Sequence, residues 1–449
     1  MWGCIMKKAK KGSNSTVRLN HLSNYNKYKY LFIPIALLPT NQYDPLAPMA
    51  KRYTNFYGAD GHFRNIRNSE LLSFVRDEEF ANFSHDALTR VLQNPELHIE
   101  PSIDDFVMTL ELSEQTWKRM RRNVKLLKSK VDVKVTSHSG GELEHLYKRQ
   151  RIFKFKHGGE IRFHFDPVWK ESECVDCSEA EDNDDSQKEV RRSSRISTRL
   201  SQLGFRKFRI FLGWLQAQSD DEYDKAVRFN RKQGARGTTR GAYVTRLDFE
   251  FKLYGVPVPF LLTRDPHHMS STYSIWPEDV SHALAETVYH GDHTGSSHYA
   301  VYDPLLKLIG DSTITLKYAK RLGPISKVER RLLSSKDGKG GTLVSALIPN
   351  SNARLGDKGK GVQTNLGRLE YFSPRLYQHL PDELAVKVAR YKLDGVWEHL
   401  GTRERRQLDK ALSLDSNKIA VDIGAIERCF FKVIDKLYWT IRDPSSVKL

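Results

Sequence analysis

The sequence predicts an α+β protein of several domains: a winged-helix-like region in the first half, a central antiparallel sheet and a C-terminal helical bundle. Three observations carry this. Around Val131 the apolar period drops from helical spacing to alternation, and a His157-Gly158-Gly159 turn joins two alternating runs. Three later segments set polar side chains on otherwise apolar strands, at 242–251, 297–302 and 326–332. Three helical patterns then follow one another at short spacing from Asp382 to Ile441.

The bulk properties agree with a folded chain that meets a polyanion. Its 449 residues allow two to four domains, and 39% apolar with 10% aromatic content is enough to build cores. The formal charge of +17 points to nucleic acid as the first candidate partner, because the excess is clustered. Four cysteines (Cys4, Cys174, Cys177 and Cys429) are too few for a disulfide scaffold and indicate a reducing compartment. The single C-x-x-C has no second pair with which to complete a zinc site. No apolar run approaches membrane-helix length, and the lysine-rich start has no signal-type apolar region after it. The expected location is cytoplasmic.

In chain order, residues 1–68 form a basic arm and a first strand, Tyr30 to Leu38, with 40–68 as loop. Residues 69–170 hold helices and the hairpin. Ser113 caps a helix whose apolar face is Trp117, Met120, Val124 and Leu127. Its other face carries Lys118, Arg119, Arg121, Arg122, Lys125 and Lys128, a DNA-contact candidate or else a solvated face. Residues 171–198 read as a linker, acidic to Glu189 and then basic, whose acidic part resembles a nucleic-acid mimic in charge. Residues 199–332 form the central domain, 333–368 a mobile loop and 369–449 the helical region.

Within the central domain, Arg228, Arg231, Arg236 and Arg240 are interleaved with glycines, which lets amides and guanidinium groups approach phosphates together. No Walker A pattern occurs, so no nucleotide cofactor is expected. On the strand Arg246-Leu247-Asp248-Phe249-Glu250, alternation puts Arg246, Asp248 and Glu250 on one face, where two carboxylates can bind a hard cation or simply face water. His290 and His293 flank Gly291 and Asp292, again a metal-ligand set or a solvated loop. Tyr299 and Tyr302 precede Asp303 and Lys307; a deprotonated phenol there can attack a phosphodiester, or the rings can simply pack.

Two resemblances follow from these residues. The helix, basic helix and hairpin ending at Phe165-Asp166-Pro167 resemble the winged-helix region of plasmid replication initiators, which implies a helix in the DNA major groove. The order R-x-D (Arg246, Asp248), V-Y-D-x-x-x-K (Tyr302, Asp303, Lys307), K-V-E-x-R-L (Glu329, Arg331) is similar to the gene II/X type of plasmid and filamentous-phage rolling-circle replication proteins. That resemblance covers about a fifth of the chain, and the paired-histidine metal motif of better-known rolling-circle nucleases is missing, since Arg162 stands where its first histidine would be. It implies DNA nicking through Tyr302 or Tyr299, with Lys307 on the phosphate and Glu329 as base. Mg²⁺ or Mn²⁺ would lie on Asp248, Glu250, His290 or His293. The partners implied are double- and single-stranded origin DNA and a host helicase or polymerase. The alternatives are a non-enzymatic origin binder and a DNA-binding transcriptional regulator.

Overall fold

The computed structural model describes residues 46–138, 149–156, 158–165, 191–229, 241–266, 271–274, 284–291, 297–333, 342–347 and 369–445. The protein is α+β, with a large antiparallel sheet and C-terminal helices. The described residues open with α1 (Leu46–Thr54), α2 (Asn68–Val75), α3 (Glu78–Gln93) and α4 (Pro95–His98). Next come β1 (Ser102–Ser113), α5 (Glu114–Arg122), α6 (Val124–Lys130), β2 (Val133–His138), β3 (Arg149–Phe155), β4 (Glu160–Phe165) and β5 (Arg191–Arg199). Helices α7 (Leu200–Leu203), α8 (Phe205–Gln218) and α9 (Glu222–Arg228) lead to β6 (Tyr243–Tyr254), β7 (Leu262–Arg264), β8 (Ser271–Ser274), β9 (Thr287–His290) and β10 (Ser297–Tyr302). Then follow α10 (Pro304–Gly310), α11 (Leu316–Leu322), β11 (Ile325–Leu333), β12 (Thr342–Leu343) and β13 (Glu370–Phe372). The chain ends with α12 (Asp382–Gly395), α13 (Thr402–Leu412), β14 (Lys418–Ile419) and α14 (Ile423–Arg442).

Among the described residues the sheet has 11 strands, in the order β2-β3-β4-β5-β1-β6-β11-β10-β9-β8, with β12 also on β6. A second, three-stranded sheet runs β14-β13-β7. One face of the large sheet packs on helices through aromatic side chains. Trp117 of α5 stacks on Phe165 at 5.1 Å, Phe208 of α8 meets Phe106 edge-on at 5.4 Å, and Phe430 of α14 meets Phe249 at 5.4 Å. Each such ring removes a large apolar area from water, so these contacts set which face is core.

Several local expectations change. Residues 191–199 are not linker: they form β5, paired with β1 on one side and β4 on the other. Their alternation of Ser194, Ile196 and Thr198 inward with Arg195 outward is a strand pattern hidden beneath a basic composition. The hairpin β3–β4 turns at Gly158 and Gly159, whose φ of 116° and 75° suit glycine, and its outer edge pairs with β5, so it lies within the sheet. The expected basic helix breaks in two at Asn123, whose carbonyl accepts from the Trp214 indole at 3.2 Å. Part of the expected loop 40–68 is helical as α1, held by Tyr53 against Phe74 and Phe63. The strand expected at Tyr30 to Leu38, the acidic stretch 171–189 and most of 333–368 lie outside the described residues. No helix among the described residues is long and apolar enough to cross a membrane.

Candidate functional site

The face of the sheet away from the aromatic core carries the charged groups. On β6, alternation turns Leu247, Phe249 and Phe251 to the core and Arg246, Asp248, Glu250 and Lys252 outward. On β11 it turns Lys327, Glu329 and Arg331 to that same outer side. The register sets Glu250 opposite Glu329 and Asp248 opposite Arg331. From β1 come two consecutive carboxylates, Asp104 and Asp105. A register shift between Ile103 and Phe106 lets both reach this side, as bulges do by re-aiming side chains.

Asp104, Glu250 and Glu329 each offer an oxygen, all within 4.8 Å of one another, and all three are buried. The Lys327 ammonium stands among them, 2.7 Å from Asp104 Oδ2, 3.1 Å from Glu329 Oε2, and in direct contact with Glu250. Lys252 reaches Glu250 at 3.2 Å, and Arg331 pairs with Glu329 and lies 3.8 Å from Asp248. Tyr302, on the neighbouring β10, donates its hydroxyl to Glu329 Oε2 at 2.8 Å. Its ring centroid lies 5.2 Å from Lys327 Nζ and 5.9 Å from Lys307 Nζ.

Burial and the neighbouring charges act in opposite directions on several groups of this cluster. Burial alone would raise Glu329, but Lys327 and Arg331 outweigh it and pull the carboxyl down to about 2. Asp104 is lowered too, against its burial, by Lys327. Lys327 is raised well above the usual lysine value despite its burial, because Tyr302 and the three carboxylates surround it. Tyr302 is raised well above the usual phenol value by burial, with Lys327 pulling the other way. The resting arrangement is therefore a phenol donating to a carboxylate, with an ammonium alongside. Asp248 differs. Burial pushes it up to about 7, only partly offset by Arg246 at 2.6 Å.

The structure brings together Tyr302, Glu329, Glu250 and Lys307, all named from the sequence, while Arg246 pairs beside them with Asp105 and Asp248. It also adds two groups the sequence left out, Asp104 and Lys327. Asp104 sits about 150 residues from Glu250 in sequence, and only the β1–β6 pairing brings them together. Asp248 shares the face but is bound by Arg246 and lies outside the carboxylate trio. Tyr299 points to the core, fully buried under Arg330 at 4.4 Å, because alternation on β10 opposes it to Tyr302. His290 also points to the core, where its Nδ1 is 2.6 Å from Asp394 and its Nε2 is 2.9 Å from Thr263 Oγ1. His290 therefore belongs to a separate buried hydrogen-bond chain. Lys118, Arg121, Arg122 and Lys125 are exposed on α5 and α6, whereas Arg119 pairs with Asp220. Arg228 is exposed at the end of α9. His293, Arg231, Arg236 and Arg240 lie outside the described residues.

No family model and no curated protein matches the chain.

A divalent cation suits this donor set. Three carboxylates are hard oxygen ligands, and Lys327 already supplies a stand-in positive charge at their centre. Asp104, Glu250 and Glu329 would hold such an ion, with the Lys327 ammonium swung aside.

Proposed function

We propose that the protein is a DNA-binding replication initiation protein that nicks one origin strand through Tyr302. The single observation behind this reading is the Tyr302–Glu329 hydrogen bond inside a carboxylate cluster with an ammonium at its centre. A phenol needs an acceptor for its proton and a cation for the charge that develops on the phosphoryl oxygens, and this arrangement has both. In the proposed step, Tyr302 Oη attacks the phosphorus and its proton passes to Glu329. The P–O3′ bond breaks, the departing 3′ oxygen takes a proton from Lys327, and a 5′-phosphotyrosyl ester remains. A bound Mg²⁺ or Mn²⁺ would act as a Lewis acid on the phosphoryl oxygen. Lys307, exposed beside the Tyr302 ring, is the group we assign to the incoming phosphate. Exposed Lys118, Arg121, Arg122 and Lys125 would contact the duplex backbone.

The test is incubation with supercoiled plasmid carrying the origin, with Mg²⁺ or Mn²⁺. The expected products are a nicked circle and a protein–DNA adduct that survives denaturation. Binding without any adduct, under either metal, would sink the nicking reading. It would favour a second one, a non-enzymatic origin binder. The observation favouring that alternative is the closed ion network itself, in which Lys327 already satisfies all three carboxylates.

A further inference from the structure

The large sheet is built from two halves on one plan. In each, the first strand lies at the middle, the chain crosses to an edge, and four strands meander back until the last pairs with the first. The halves are β1 with β2-β3-β4-β5, and β6 with β8-β9-β10-β11. Strands β1 and β6 both have 12 residues, and β5 and β11 both have 9. When Ser102 is set on Tyr243 and Arg191 on Ile325, the two registers coincide. The pair Thr109–Arg195 then falls on Glu250–Glu329. Where the second half faces two carboxylates across its central strands, the first half has a threonine and an arginine.

The outer face of the first half follows that substitution. Lys134, Lys154, Arg162 and Arg195 are exposed there, and Glu160, bonded to Arg162, is the only carboxylate anywhere on β2, β3, β4 and β5. Lys134 and Lys154 stand directly opposite each other in register; Glu160, which faces Lys154 from the other side, is held by Arg162, so neither lysine has an ion-pair partner among the described residues. Like charges in that position are destabilising, and an anion between them removes the penalty. His164, opposite Arg195, is pushed down to about 4 by burial and by Arg195 and Arg162, so it adds no charge near neutrality. The face is continuous with the acidic cluster. From β5 to β11 is three strand steps, about 14 Å. Tyr243, half-buried and paired with Thr109, offers a ring on the way.

We propose that this outer face of the first half is a holding surface for single-stranded DNA, which it leads to Tyr302. The proposal rests on the nicking reading only for its destination. A single strand is favoured because Tyr302 is buried, and a flat sheet face with an aromatic ring suits unstacked bases better than a duplex.

The experiment uses the full chain and a fluorescein-labelled mixed-sequence 20-mer, single- or double-stranded, with anisotropy read from 50 to 300 mM NaCl. Lys134→Glu with Lys154→Glu should weaken single-strand binding at least tenfold at 100 mM salt. The log–log salt slope should shrink by about 1.4, two phosphate contacts at about 0.7 each. Lys134→Gln with Lys154→Gln, which removes the like-charge pair at exposed sites, should give the same direction with a melting temperature no lower than wild type's. Unchanged affinity and slope in both variants would overturn the surface, as would a loss confined to duplex. Cleavage separates this from the nicking reading. A chain that binds through these lysines yet never cleaves overturns only the nicking. A chain that cleaves while binding independently of them overturns only this surface.

Discussion

The Tyr302 hydroxyl donates to Glu329 Oε2 across 2.8 Å, from the strand beside the one that carries Glu329. Glu329 keeps Lys327 and Arg331 as partners whatever happens to that bond. Tyr302→Phe should therefore cost only about 1 kcal/mol of stability, the net worth of one hydrogen bond. It should abolish both the nick and the covalent adduct, read on a denaturing gel with labelled DNA. A phenylalanine variant that nicks at the parental rate would move the nucleophile elsewhere.

Lys327 is the positive charge common to all three buried carboxylates. Removing one partner of a buried ion network strands the remaining charges. Lys327→Met should therefore destabilise the protein by about 3–5 kcal/mol at pH 7. The carboxylates would then accept a cation that wild type admits only by displacing the ammonium. Millimolar Mn²⁺ should raise the melting temperature of the methionine variant more than that of wild type. An equal response in the two proteins would show that the carboxylates do not gather a metal.

The sequence made much of this site legible, because strand alternation alone puts Glu250 with Asp248 and Glu329 with Arg331 on common faces. It could not tell which of two adjacent carboxylates joins the trio, since Asp248 is claimed by Arg246 and only coordinates show that. Asp104 and Asp105 were invisible for another reason. A strand read by alternation assigns neighbours to opposite faces, and a bulge breaks that rule locally. Strand β5 was masked by its basic composition, and the twofold plan of the sheet leaves no repeat in the residues themselves. It appears only in strand order, lengths and register. The antiparallel sheet and the C-terminal helices were readable because each segment keeps its own period over enough residues.

Asp248 gives a pH-dependent prediction. Its folded value, about 7, lies above the ordinary 3.8, so the folded state holds a proton that the unfolded chain has already released between those values. Stability from this group therefore falls as pH rises from about 4 to about 7. Asp248→Asn cannot ionise and should flatten that part of the profile. Urea midpoints from pH 4 to 8 should show the variant gaining on wild type toward pH 8 and matching it near pH 4. A gap that is constant with pH would mean that Asp248 does not titrate in this window.

Lys392 is buried in α12 with no hydrogen-bond partner for its amine among the described residues. Its backbone, at φ 63° and ψ 171°, kinks the helix in a region that disfavours any residue but glycine. Burial holds the amine well below the usual lysine value, with Asp303 pulling the other way. The folded state thus binds this proton less firmly than the unfolded chain does. Stability lost to the group grows as pH falls below about 10.4, the ordinary lysine value. Lys392→Met keeps a long unbranched side chain and discards the amine, so it should stabilise the fold by about 1–2 kcal/mol at pH 7. The gain should shrink as pH approaches 10, measured by urea denaturation at pH 7 and pH 10. A methionine variant less stable than wild type at pH 7 would mean that the amine is charged and paired in the folded protein, with Asp303 as the group to substitute next.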